Sequence, residues 1–325
     1  MGSDPIVLPL LRSLKEDFSG SVDLRAVYTQ PDKRSGRGMR LQEGPVKQLA
    51  LELGVPVRQP ECMNENEYRW LQENECQLIL VMAYGQILKQ ALLDLPSHGI
   101  LNFHASILPA YRGASPLEGA ISEGCDETGV TLMQIIRELD AGPILDVEKI
   151  PVCGSLCRSA LADALSHACV PLLKRNIDGI ASKALSFVPQ NRDEATFTRI
   201  LTKQDSLLDF RQSAQKLYNR YRALKEWPGS AFEYRGERIR IGELKFVSNV
   251  SGTPGTVLSA DNSGLLVACG EDALLCLQLQ RPGGRMMPVA DFLRGYSLDQ
   301  GAVLDQVDMI PLVASKPFPY RKRNG

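Results

Sequence analysis

Hydrophobic positions in the first 180 residues fall into alternating strand-like and helix-like runs. Leu24–Thr29, Val55–Arg58, Leu78–Met82, Gly99–Phe103, Thr128–Ile136 and Ile144–Ile150 are short apolar stretches of strand length. Leu78–Met82 is apolar throughout, as a strand buried on both faces of a parallel sheet requires. Between these runs, Ile6–Lys15, Pro45–Leu53, Glu65–Asn74 and Pro116–Glu123 space their apolar residues three and four apart, which predicts helices. Leu156–Asn176 predicts a longer helix, bent near Pro171 because proline removes a donor and crowds the preceding turn. Strand and helix alternate, so an α/β domain with a mostly parallel sheet is expected over residues 1–182.

The pattern then changes. Periodicity fades from 177, and residues 183–204 read as a linker. Phe210–Ala223 predicts an amphipathic helix with Ala214, Leu217, Tyr218 and Tyr221 inward and Arg220 and Arg222 outward. Ser230–Tyr234, Glu237–Val247, Gly255–Ser259, Gly264–Ala268 and Ala273–Gln280 are short strands split by Gly and Asn/Asp turns. A short helix, Val289–Leu293, follows. So many short strands predict a small OB-like β-barrel over 205–310. Residues 311–325 form a basic tail.

Composition narrows the class only a little. The chain has 325 residues, 44% hydrophobic and 23% charged, as ordinary globular domains do. No run of apolar residues is long enough to span a bilayer, and the first residues lack the pattern of a secretory signal, so a cytoplasmic protein without a membrane association is expected. The eight cysteines form no CxxC pair and have no histidine at zinc spacing, so free thiols and no metal are expected. Charge is mildly uneven. Residues 190–325 hold 19 Lys and Arg against 15 Asp and Glu, and residues 1–189 hold 18 against 23. A basic second half suits a polyanionic partner, and equally an ordinary solvated surface.

The candidate chemistry sits in LNFHASILPAYRG, residues 101–113, and RELDAGP, residues 137–143. Asn102 and His104 are two apart on a strand and share one face. Asp140 follows the apolar run Val130–Ile136. Amide, imidazole and carboxylate can meet at strand ends, where open α/β sheets place their sites. Such a trio suits acyl transfer. The amide donates to a developing oxyanion, and the carboxylate orients an imidazole that handles the proton. Turn and capping roles fit the same residues, and spacing alone leaves both readings open. Gln30–Glu43 is a Gly-containing loop carrying Lys33, Arg34, Arg37 and Arg40, able to grip phosphates or simply to be solvated. Gly2-Ser3-Asp4-Pro5 reads as a helix cap or an anion-facing loop.

These stretches resemble the folate-dependent formyltransferase family. LNFHASILPAYRG with LDAGPI carries the family signature. VYTQPDKRSGRGMRLQEGPVKQLALELGVPVRQPE, LVMAYGQILKQALLDLP, GVTLMQIIRELDAGPIL, LTKQDSLLDFRQSAQKLYNRYRALKEWPGSAF and SGLLVACGEDALLCLQLQRPGG extend the likeness over nearly the whole chain. They are similar to the branch that formylates initiator methionyl-tRNA. The resemblance implies a Rossmann-like formyltransferase domain followed by an OB-like tRNA-binding domain. It implies 10-formyltetrahydrofolate as the formyl donor, the amino group of initiator methionyl-tRNA as the acceptor, and a monomer. Carried over residue by residue, Asn102, His104 and Asp140 match the catalytic trio. Gln86, Ile87, Leu88, Ser106, Ile107, Leu108, Pro109, Arg137 and Leu139 match folate-binding parts. Arg37 matches a loop arginine facing the tRNA, with Lys33, Arg34 and Arg40 beside it. Family chains open on an apolar strand ahead of the Gly2–Pro5 loop, so the first strand of the sheet is expected to be missing here. Two other readings stay open: formyl transfer to a nucleotide-sugar or another small amine, and a catalytically defective RNA-binding relative.

Overall fold

The computed structural model describes residues 1–35, 40–154 and 156–319. In chain order its elements are α1 (Leu8–Glu16), β1 (Val27–Tyr28), β2 (Lys33–Ser35), β3 (Arg40–Gln42), α2 (Pro45–Glu52), β4 (Val57–Arg58), α3 (Glu65–Glu73) and β5 (Ile79–Val81). Next come α4 (Gln90–Leu93), β6 (Ile100–His104), β7 (Arg112–Gly113), α5 (Pro116–Glu123), β8 (Glu127–Gln134), β9 (Ile144–Pro151) and α6 (Arg158–Ser182). The rest are β10 (Phe197–Thr198), α7 (Ala214–Leu224), β11 (Ser230–Tyr234), β12 (Glu237–Ile241), β13 (Leu244–Val247), β14 (Val257–Asp261), β15 (Gly264–Ala268), β16 (Ala273–Cys276), β17 (Gln278–Gln280), β18 (Met287–Pro288), α8 (Val289–Leu293) and β19 (Val313–Ala314). The chain forms two compact units. The first is Met1–Gly113, Glu127–Pro151 and Ala160–Thr196, and the second is Ala114–Asp126, Val152–Ser159 and Phe197–Gly325.

The first unit holds a four-stranded sheet ordered β5-β6-β8-β9 and a two-stranded sheet β1-β4. β5 and β6 run parallel, as do β1 and β4. β8 runs antiparallel to both β6 and β9. The sheet is therefore mixed, which corrects the expectation of a mostly parallel one. The loop 135–143 is long enough to reverse the chain and too short for a crossover, so β8 and β9 must be antiparallel.

Met1 and Gly2 stand where β1 and β5 face one another. The Met1 nitrogen donates to Leu80 O at 2.6 Å, and Met82 N donates to Met1 O at 3.0 Å. Gly2 N donates to Tyr28 O at 2.9 Å. Met1 and Gly2 thus pair with backbone of both neighbours. Beside them is a cavity of about 470 Å3, lined among others by Leu11, Val27, Leu80 and Ile177. A Cβ on Gly2 would lie 2.8 Å from Met82 O, so close backbone approach requires glycine there. The side chains of the expected anion loop are used internally. Asp4 Oδ1 accepts from Ile6 N at 3.0 Å, and Ser3 Oγ accepts from Gln30 N at 3.0 Å.

The second unit corrects the expectation of an OB-like barrel. Its strands form two four-stranded sheets, β11-β12-β17-β18 and β13-β16-β15-β14. Among the described residues the end strands of neither sheet pair with each other, so no barrel closes. The chain changes sheet twice at one corner, between Ile241 and Leu244 and again at Leu277. There Gly242 N donates to Gln278 O and Leu277 N to Glu243 O. The two sheets and α7 bury Leu217, Tyr221, Phe232, Ile239, Leu265 and Leu279 in one core.

Helix α7 starts at a Ser213 cap, whose hydroxyl accepts from Lys216 N. Its arginines differ from expectation. Arg220 and Arg222 are buried, because each has a partner that periodicity does not reveal. Arg220 donates to Asp205 O through Nε and NH2, at 3.2 and 3.1 Å. Arg222 donates to Asn219 Oδ1 at 3.0 Å. Helix α6 runs unbroken through Pro171 to Ser182. Residues 183–196 belong to the first unit, where Val188 and Ile144 exchange backbone hydrogen bonds of 2.8 Å.

Candidate active site

The site grows from β6. Its residues 100, 102 and 104 share a face because strand side chains alternate. β6 lies between β5 and β8, which pairs Asn102 with Met133 and His104 with Thr131. Asn102 is half-buried, and its carboxamide has no hydrogen-bond partner among the described residues. His104 is buried. Its Nε2 lies 3.0 Å from Tyr111 O. A carbonyl only accepts, so Nε2 carries the hydrogen. Nδ1 is then the ring atom that faces Asp140, 3.8 Å from Oδ2.

Asp140 sits in the turn between β8 and β9 with φ +48°, in the left-handed region that Asp tolerates better than most residues. Its Oδ2 accepts from Gly113 N at 2.8 Å. Tyr111 and Gly113 therefore fix His104 and Asp140 from one short segment. That segment is anchored in turn. Tyr111 N donates to Thr196 Oγ1 at 2.9 Å, and Arg112 N to Thr196 O at 2.8 Å. Sequence reasoning reaches the trio and misses this frame, because Tyr111 O and Gly113 N are backbone groups without a residue-type signature.

Other predicted residues take different stations. Ser106 and Leu108 are buried and build the turn after β6 rather than a surface. Ser106 Oγ donates to Ala110 O at 2.6 Å. Thr131 Oγ1 donates to Ser106 O at 2.6 Å and accepts from Leu108 N at 3.0 Å. Thr131 is a residue the sequence could have flagged, as one hydroxyl inside the apolar run Val130–Met133. Ile107 and Pro109 are half-buried. Gln86 Nε2 donates to Pro60 O at 2.9 Å, and its Oε1 is buried without a partner among the described residues. Ile87 beside it is 75% exposed, and Leu88 packs on the core around Tyr84 and Leu92. Arg137 is exposed, and Leu139 is 69% exposed on the Asp140 turn.

The basic loop is an antiparallel hairpin of β2 and β3 that pairs Lys33 with Gln42, Arg34 with Leu41 and Ser35 with Arg40. Its base is tied down by Asp32, which accepts from Lys47 at 2.6 Å and from Gln59 at 2.8 Å. The two donors hold the Asp32 carboxyl below its ordinary value. Lys33 Nζ donates to Gln30 Oε1 at 2.8 Å. Lys33, Arg34 and Arg40 are exposed. Arg37 lies outside the described residues. Among the described residues no group of three or more His, Cys, Asp or Glu is placed to hold a metal ion, and no helix is long and apolar enough to cross a membrane.

An amide unpaired among the described residues, a buried imidazole and a carboxylate on a mixed α/β sheet are groups that could serve acyl transfer, and comparison narrows the class to a formyl transferase. The formyl transferase family pattern matches residues 5–176, and the pattern of the formyl transferase C-terminal domain matches residues 200–297. Among solved structures, a sugar N-formyltransferase from Helicobacter canadensis in complex with folinic acid and dTDP-3-aminofucose shares the fold, with TM-score 0.62 and 19% identity over 86% of this chain and 97% of that one. WlaRD, a sugar 3N-formyl transferase, also has TM-score 0.62, with 18% identity over 86% and 95% of the two chains. Sequence relatives are much nearer. The methionyl-tRNA formyltransferase of Delftia acidovorans is 39% identical over 86% of this chain and 89% of its own. That of Moorella thermoacetica is 37% identical over 94% and 97%. The chain belongs to the methionyl-tRNA formyltransferase family.

Proposed function

We propose that this protein moves a formyl group from 10-formyltetrahydrofolate to the α-amino group of methionyl-initiator tRNA. One observation carries the reading: on one face of β6, an unpartnered Asn102 carboxamide lies two residues from a buried His104 that faces Asp140. The amine nitrogen forms a bond to the formyl carbon, and that carbon's bond to N10 of the folate breaks. One proton leaves the amine and one arrives at N10. Charge collects on the formyl oxygen in between, and Asn102 Nδ2 is the preorganised donor for it. His104 handles the proton at Nδ1, and the Asp140 carboxylate stabilises the imidazolium that forms.

The residues matched to folate-binding parts have chemistry that suits a folate. The orphaned Gln86 Oε1 is an acceptor awaiting a donor such as an amino-pterin edge. Exposed Ile87 and Leu139 offer apolar contact for a flat ring. Lys33, Arg34 and Arg40 on the hairpin, with Arg37, supply positive charge for the acceptor's phosphates. The protein is read as a cytoplasmic monomer.

Acceptor choice tests this reading. The protein is incubated with formyl-labelled donor and, in parallel, methionyl-initiator tRNA, methionyl-elongator tRNA and a nucleotide-linked amino sugar. Label on the initiator methionine supports it. Label on the sugar alone, or folate release with no labelled acceptor, contradicts it.

A further inference from the structure

Residues 183–196 lack helical or strand periodicity, yet one of them is built into the site. The side-chain amide of Gln190 has both hydrogens and its oxygen engaged. Its Nε2 donates to Asp140 O at 2.9 Å and to Gly142 O at 2.7 Å. Its Oε1 accepts from Arg112 Nε at 3.0 Å and from Arg112 NH2 at 2.8 Å. Arg112 is only 2% exposed, so its guanidinium fork is fixed in place. We propose that Gln190, braced by Arg112, is a positioning residue that holds the Asp140 turn and so sets the carboxylate against His104. The inference rests on the formyl-transfer reading of the trio.

The geometry argues for more than generic scaffolding. Asp140 holds φ +48°, in the left-handed region, so its turn has a defined backbone for a neighbour to hold. Gln190 holds it by gripping the carbonyls on both sides of Ala141. Gly113 N grips the carboxylate of the same residue. Arg112 and Gly113 are adjacent, so one dipeptide controls Asp140 from its backbone, through Gln190, and from its side chain, directly. Tyr111, the next residue back, holds His104. Loosening Gln190 frees the carboxylate to turn relative to an imidazole that stays fixed. Only an amide satisfies both neighbours. Glutamate keeps the shape and the Arg112 contact and loses both donors to the turn. Methionine keeps the length and loses all four bonds.

The test compares Gln190→Glu, Gln190→Met and Arg112→Lys with the parent, in the full chain. Three quantities are read: kcat, KM for each substrate, and the 15N resonances of the His104 imidazole. The chain has only 3 histidines, so His104 is assigned with a single His104→Gln control. A misplaced catalytic group costs turnover more than binding, so kcat is expected to fall roughly tenfold to a hundredfold in both Gln190 variants. Both KM values are expected to stay within about threefold. The His104 resonances are expected to move, and Arg112→Lys to do the same more weakly. Unchanged kcat and unchanged resonances in the folded variants overturn the proposal. So does a loss of activity that follows the folded fraction while His104 in the folded protein keeps its parental resonances. If the parent itself transfers no formyl group, the functional reading fails, and the His104 resonances still decide whether Gln190 sets the site.

Discussion

At the scale of single residues the site turns on what each polar atom is free to do. His104 spends Nε2 on Tyr111 O and presents Nδ1 to Asp140. The separation of 3.8 Å is too long for a hydrogen bond, and the two groups attract as charges only when the imidazole is protonated. In the proposed mechanism that attraction arises as the imidazole takes up the amine's proton. The Asn102 carboxamide has no hydrogen-bond partner among the described residues. His104→Ala and Asp140→Ala are expected to lose at least about a hundredfold in turnover, the scale of removing one preorganised group. Circular dichroism checks that both variants stay folded. Near-parental turnover in a folded variant would remove that residue from the mechanism. Asn102 and His104 are legible in sequence because strand alternation places two polar residues on one face. Asp140 is legible as the polar end of an apolar run. Gln190 is not legible: no local signal ties it to a turn on the far side of two strands.

At the scale of elements, the β8–β9 turn and the β2–β3 hairpin have separate tasks. The turn is shaped by close backbone approach. A Cβ on Gly142 would stand 1.8 Å from Gln134 O and 2.9 Å from Gln134 C, and neither can move without parting β8 from β9. Gly142→Ala is therefore expected to cost about 1–3 kcal/mol, as overpacked sites do, and to lower kcat by displacing Asp140 two residues away. A melting temperature and kcat both equal to the parent's would show that the turn adapts. The hairpin carries exposed charge on a base fixed by Asp32, Lys47 and Gln59. Replacing Lys33, Arg34 and Arg40 together with Ala is expected to raise KM for tRNA and leave KM for the folate donor unchanged. Each lost phosphate contact should flatten the plot of log affinity against log salt by about 0.7–0.9. An equal rise in both KM values would argue against tRNA contact. The longer helices and strands are legible from period, and the short pieces β2, β3, β7, β10 and β19 are not. Nor is strand direction, and the antiparallel β8 follows from a loop length that only matters once its neighbours are known.

At the scale of the whole molecule, buried ion pairs in the second unit link stability to pH. Burial drives the Asp205 carboxyl upward, and the Arg199 guanidinium with the Thr202 N–H and hydroxyl outweighs it, leaving Asp205 below the ordinary value of 3.8. Arg220 is pushed down to about 10, by burial first, against the pull of Asp205. For Asp205 the unfolded chain binds the proton more readily than the folded one. Its contribution to stability is therefore complete above 3.8 and is lost as pH falls through the lower folded value. Denaturant unfolding at falling pH should show this acid limb, and Asp205→Asn should shrink it. The same variant should destabilise the protein by about 3–5 kcal/mol at neutral pH, because it leaves Arg199 and Arg220 facing a neutral amide. A parental acid limb in the variant would assign it to other carboxylates. This network was hidden in sequence, where Arg220 and Arg222 fall on the expected outer face of α7. That the strands form two sheets and no closed barrel is hidden for a related reason. Periodicity finds short strands, but which strand pairs with which depends on where the chain changes sheet, here at Gly242 and Leu277.

The most direct measurement is transfer of labelled formyl from 10-formyltetrahydrofolate to methionyl-initiator tRNA, run side by side with the parent chain and His104→Ala. Formylmethionyl-tRNA and tetrahydrofolate formed in equal amounts by the parent, with both lost together in the variant, is the predicted result. Tetrahydrofolate released without formylmethionine, or a variant as active as its parent, would contradict the account.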